Sequence, residues 1–116
     1  MEEPRISLII PAYNEEKYIG KTMESIKCAI QAYGNTDDVE VIVVNNNSSD
    51  DTEKIAQEHG ATIIFEPENH IVKARNRGAY CATGKYLIFV DAMIWGLQKK
   101  LRNKAYCEKI WYDVRR

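Results

Sequence analysis

The stretch VEVIVVNNNSSDDTEKIAQEHGATIIFE, residues 39–66, opens with an apolar run over Val39–Val44 in which β-branched side chains predominate. A run of that kind without polar alternation predicts a strand covered on both faces. The polar cluster after it predicts a turn in which Ser49 or Asp50 caps a helix through Ile55 and Ala56, with the stop at Gly60. ATIIFE, residues 61–66, then reads as a second strand. Strand, helix and strand in succession predict a parallel pair joined by a right-handed crossover.

The same alternation extends in both directions. ISLII, Ile6–Ile10, is a short apolar strand stopped by Pro11, and from Glu15 onward Ile19, Met23, Ile26 and Ile30 recur at helical spacing to about Tyr33. GNTDD is a turn. Beyond the opening stretch, IVKARNRGAYCAT, residues 71–83, is compatible with a helix ending at Gly84, and KYLIFVD, Lys85–Asp91, is the fourth and most apolar strand. Four strands interleaved with helices predict an α/β chain of the Rossmann-like type, three layers deep, with a mainly parallel sheet. In such sheets ligands sit outside the carboxyl ends of the strands, and those ends read PAYNEE, NNNSSD, EPENH and DAM. Neither GxGxxG nor GxxxxGK[ST] occurs, which excludes the two common glycine-rich phosphate cradles.

A chain of 116 residues with 45% hydrophobic and 28% charged composition has room for one core. Residues 97–116 hold seven Lys/Arg and two acids, a net +5, against a net −6 over residues 1–96. Ile94, Leu97, Leu101, Ala105, Ile110 and Val114 recur near helical spacing in that basic segment, so the expected organisation is a main unit over 1–93 followed by a basic amphipathic helix over 94–116. A helix of that type can touch a membrane surface, and a solvated face gives the same composition. No run approaches the roughly 18 apolar residues of a membrane span, and MEEPR lacks the basic start of a signal peptide, so a cytoplasmic setting is expected. Cys28, Cys81 and Cys107 are odd in number, without CxxC spacing, and only His59 and His70 accompany them. Neither a disulfide framework nor a zinc site is indicated.

SLIIPAYNEE, VIVVNNNSSDDT, KARNRGA and GKYLIFVDA, taken together, resemble in order and spacing the nucleotide-binding N-terminal half of the family-2 glycosyltransferases, which have the GT-A fold. The resemblance covers about residues 5–92. It implies transfer of a sugar from a nucleotide-diphospho-sugar, with a divalent metal, and it implies a donor pocket in which Pro11, Ala12, Tyr13 and Glu15 surround base and ribose. Tyr13 has a ring on which a base can stack, and Glu15 can accept from sugar hydroxyls. Without a ligand, Tyr13 would pack on the sheet edge and Glu15 would favour a helix N-terminus.

The resemblance carries further roles to three residues. Asn46 stands in the pair where the family has an acid that reads the uracil imide, and its amide can accept and donate on the same edge without charge assistance. Arg75, in the ARN segment, can face the diphosphate as a fork donor, or lie solvated on its helix. Asp91 matches the first acid of the family's Asp-x-Asp motif, but Met93 stands where the last acid is expected. Mg2+ and Mn2+ prefer oxygen ligands, so the metal site implied at Asp91 is weakened. Residues 94–116 do not resemble the family's acceptor-binding half, which supplies the general base. The expectation is therefore a donor-binding unit for a uridine diphosphate sugar, incomplete alone and without a nucleic-acid partner. An incomplete sheet would drive it to form homo-oligomers. The rival expectation from the same residues is a non-catalytic module with a degenerate pocket.

Overall fold

The computed structural model describes residues 4–90. Strands β1 (Ile6–Ala12), β2 (Val39–Asn45), β3 (Thr62–Phe65) and β4 (Tyr86–Phe89) form one sheet in the order β3-β2-β1-β4, with every pairing parallel. Helices α1 (Ile19–Tyr33), α2 (Thr52–Glu58) and α3 (Ile71–Cys81) provide the crossovers, and a single 3-10 turn spans Thr36–Asp38. Alternation along the strands divides the core in two. Leu8, Ile10, Ala12 and Val43 face Met23, Ile26 and Ala56 of α1 and α2, whereas Ile9, Ile42 and Val44 face Ala74 of α3. The Rossmann-like three-layer architecture expected from the alternation is the one present. The expected 93/94 boundary and tail helix lie outside the described residues.

Two of the boundaries that differ from the sequence reading do so for a local reason, whereas α3 ends at Cys81, ahead of the expected stop at Gly84. Pro11 does not stop β1, which runs on to Ala12 in register with Asn45. Ile9 O accepts from the Val90 amide, so odd-numbered residues of β1 turn their backbone groups toward β4. The register with β4 ends at Ile9 and Phe89, and the missing N–H of Pro11 therefore costs no ladder bond. Helix α1 begins at Ile19 rather than near Glu15, because the amides of Glu15 and Glu16 bond across to the next loop. Its other end is Gly34, whose φ of 94° and N–H bond to Ile30 O make the left-handed stop that glycine adopts without strain.

Helix α3 lies on the sheet through small residues. A Cβ on Gly78 would come within 2.5 Å of Ile9 Cγ2 and 2.9 Å of Val44 Cγ2, so the approach of helix to sheet requires a glycine there. At the amino ends of the strands the α3–β4 connection is clasped to the sheet. Glu40 of β2 accepts from the Ser7 hydroxyl, the Thr83 amide (2.7 Å) and the Thr83 hydroxyl (2.9 Å), and the Gly84 amide donates to Ser7 Oγ at 2.8 Å. Burial disfavours the Glu40 charge, but these hydrogen bonds outweigh it and hold the carboxyl below its ordinary range.

Candidate functional site

The β1–α1 and β2–α2 loops are stitched together at the carboxyl edge of the sheet. Asn14 and Asn47 take left-handed backbone angles, φ 48° and 59°, a region asparagine tolerates better than most residues. The turn at Asn14 lets its amide donate to Ser48 Oγ (2.9 Å) while its side-chain oxygen accepts from the Ser49 amide (2.8 Å). Glu15 N–H donates to Thr52 Oγ1 at 2.8 Å, Glu16 N–H to Asp50 Oδ2 at 3.3 Å, and the Asp51 amide returns a bond to Glu16 Oε2 at 3.0 Å. Asp50 also accepts from the Thr52 amide at 3.0 Å and from its hydroxyl, serving the start of α2 from one residue outside the N-cap, Asp51. Burial raises the Asp50 carboxyl, but the Thr52 hydroxyl and the amides of Thr52, Glu16 and Asp50 itself outweigh it and bring it below its ordinary range. Asn14 and Glu16 are thus structural groups that the sequence reading passed over, whereas Asp50 is one of the two capping candidates it offered for α2. Polar residues in a loop do not reveal which of them will meet across the fold.

Above this network Tyr13 is 50% exposed, directly after the last residue of β1. Pro11 and Ala12 are buried within the strand, so they offer shape and backbone rather than accessible side chains. Glu15 is half-buried beside them. Asn46, 5% exposed, is committed on every side. Its backbone N–H donates to Ala12 O (2.8 Å) and its carbonyl accepts from Asn69 Nδ2 (2.6 Å). Its side-chain Nδ2 donates to Glu66 O (3.2 Å) and Glu68 O, while Oδ1 accepts from the His70 amide at 3.1 Å.

The loop that Asn46 holds is further tied by Glu66, also 5% exposed, whose Oε2 accepts from the Glu68 amide (2.8 Å) and whose Oε1 accepts from Arg77 Nε and an Nη at 3.3 and 3.2 Å. A buried carboxylate of this kind requires such partners. Lys73 pairs with Glu68. Arg77 and Lys73 of α3 therefore serve the loop, and Arg75 is the exposed cation of the ARN segment. Asp91, the residue in sequence after Val90, lies outside the described residues, as does Met93. Among the described residues no group of three or more His, Cys, Asp or Glu is arranged to hold a metal ion. Nor is any helix among them long and apolar enough to cross a membrane.

Strand-end loops held in this way at a parallel sheet edge suit a nucleotide-binding role, and the sequence carries the matching signature: the model of the family described as Glycosyl transferase family 2 matches residues 7–92. The chain belongs to the family-2 glycosyltransferases. Among relatives, EpsH of Bacillus subtilis (strain 168) is 31% identical over 115 residues, 95% of this chain and 30% of that protein. Among solved structures, Staphylococcus aureus TarS is similar at a TM-score of 0.68 with 29% identity, over 76% of this chain and 27% of that one. Glucosyl-3-phosphoglycerate synthase from Mycobacterium tuberculosis, in complex with Mn2+, UDP and glucosyl-3-phosphoglycerate, is similar at a TM-score of 0.62 with 28% identity, over 77% of this chain and 33% of that one. The chain thus spans about a third or less of the length of these family members, and their shared GT-A fold agrees with the topology described above.

Proposed function

We propose that the chain binds the nucleotide of a uridine diphosphate sugar at the carboxyl edge of β1 and β2, as the donor-binding part of a glycosyl transfer. The observation that carries the reading is Tyr13, a half-exposed ring set at the end of the central strand above loops whose own polar groups are satisfied. A rigid, exposed aromatic at that position is a stacking platform for a base, and Glu15 beside it supplies an acceptor for ribose hydroxyls. Arg75 is assigned to the diphosphate, through the fork of donors that matches phosphate oxygens. The likeness to a synthase whose crystal structure contains UDP and Mn2+ supports uridine as the base.

For a divalent cation, Mg2+ or Mn2+, this chain supplies Asp91 as the one hard-oxygen ligand of the family's motif, with a thioether at Met93 in place of the second. One carboxylate meets a small part of the oxygen coordination either ion requires, so the contribution of metal to affinity should be small. Acceptor recognition and the general base are not assigned to any residue of the chain, and donor binding without transfer is the activity proposed for it. Calorimetric titration with UDP, ADP and NAD, each with and without Mn2+, tests the reading. UDP should bind most tightly. Equal or undetectable binding of all three, or sugar transfer by the chain as it stands, would overturn it.

A further inference from the structure

Asn46 joins two other segments of the chain at once, through its backbone and its side chain. Its N–H is tied to Ala12, next to Tyr13, while its carbonyl and side chain are tied to the loop of residues 66–70 that starts α3. We propose that Asn46 is a positioning residue, which sets the β3–α3 loop and the first turn of α3 against the end of β1 and so places Arg75 relative to Tyr13. This rests on the donor-site reading and assigns Asn46 a different part in it from reading the base. The direction of its amide follows from its neighbours. Two carbonyl oxygens, of Glu66 and Glu68, require the NH2 end, and the His70 amide requires the oxygen end. A carboxylate there would face two carbonyl oxygens with no proton to donate. The position therefore demands asparagine, and the replacement of the acid usual in the family is matched to this loop.

His70 shows how the loop leads into the helix. It is the N-cap of α3, with Nδ1 accepting from the Val72 amide at 3.2 Å, while its own N–H is shared between Glu68 O at 2.8 Å and Asn46 Oδ1 at 3.1 Å. Arg75 follows about one turn later. Loss of the Asn46 Nδ2 bonds frees the Glu66 and Glu68 carbonyls from β2 while the Ala74–Gly78 contact with the sheet persists, so the expected effect is a loosened loop and first turn rather than a lost fold.

The experiment compares wild type, Asn46→Asp and Asn69→Ala in titrations with UDP and CDP, each with a melting curve. Asn69 is exposed and removes only the bond to the Asn46 carbonyl, so it serves as the milder variant should Asn46→Asp not fold. Expected is a loss of about ten-fold in UDP affinity for Asn46→Asp, with a smaller loss in the same direction for Asn69→Ala and an unchanged ratio of UDP to CDP affinity. Lowering the pH from about 7.5 to about 5 should partly restore Asn46→Asp relative to wild type, since a protonated carboxyl beside two carbonyl oxygens regains one donor. A change in the UDP to CDP ratio would mean that Asn46 reads the base, and would overturn the proposal. So would lower melting temperatures with unchanged affinities, which mark a merely structural role. If wild type binds neither nucleotide, the donor-site reading fails by itself, and amide exchange decides whether Asn46 sets the loop: faster exchange at Glu68, whose amide the loop holds on Glu66 Oε2, in Asn46→Asp upholds that much, and unchanged exchange overturns it.

Discussion

Tyr13 and Asn46 lie at neighbouring strand ends and are built for opposite tasks. The ring of Tyr13 is half exposed, whereas the amide of Asn46 is buried among backbone partners. Substitution of Tyr13 by alanine should therefore lower UDP affinity by about ten-fold, in line with roughly 1–3 kcal/mol for a base on an aromatic ring. Its melting temperature should stay near that of wild type, because an exposed side chain contributes within about 0.5 kcal/mol to stability. Calorimetry and a thermal melt on the same sample check both halves, and a large loss of stability would place the ring in the core. Tyr13 was singled out through the family resemblance, and the local pattern alone left its ring open to packing on the sheet edge. Asn46 was read only as a base reader, through the same resemblance. Its side-chain partners come twenty or more residues later, and nothing in a local pattern tells an amide which carbonyls it will meet.

Among the elements, the strands and helices were legible because two periods dominate the chain: continuous apolar runs for β1, β2 and β4, and the recurrence of Ile19, Met23, Ile26 and Ile30 for α1. Less legible was the packing of α3, whose buried face is Ala74 and Gly78 rather than a stripe of large side chains. Small residues leave a weak hydrophobic signal and at the same time permit the closest approach to the sheet. Two glycines in helices separate these effects. Gly78→Ala would drive a methyl group into Ile9 and Val44 and should cost about 1–3 kcal/mol, since overpacking moves the helix off the strands. Gly20→Ala places its Cβ at ordinary contact distances, 3.6 Å from Ile55 Cγ2 and 3.7 Å from His59 Cε1, and should add about 0.4–1 kcal/mol by restricting the unfolded chain. Chemical denaturation of the two variants should thus shift the midpoint in opposite directions. A midpoint for Gly78→Ala equal to that of wild type would mean that α3 stands further from the sheet than described.

At the scale of the whole molecule, β3 and β4 are the sheet edges among the described residues, and Leu87 and Phe89 of β4 are exposed on the face that carries α3. An apolar edge left exposed among the described residues favours association, so light scattering should show mass rising with concentration, and Leu87→Glu should reduce the rise. A constant monomer mass would count against it. Acid should weaken the fold itself through its two clasps, Glu40 at the amino edge of the sheet and Asp50 at the carboxyl edge. Both carboxyls lie below their ordinary values of 4.5 and 3.8, Glu40 through Ser7, Thr83 and Gly84 and Asp50 through Thr52, Glu16 and its own amide, in each case against the opposing effect of burial. The unfolded chain then binds more protons in the acid range, and stability rises with pH there. The contribution is complete above the ordinary values and is lost as pH falls through the lower values of the folded chain. Glu40→Gln removes one of the two titrations and the charge assistance to three donors at once. Its stability at neutral pH should fall by about 1–2 kcal/mol, and its decline on acidification should be shallower than that of wild type. Urea midpoints measured from neutral pH into the acid range compare the slopes directly, and parallel curves for the two proteins would show that Glu40 ionises no more readily in the folded chain than in the unfolded one.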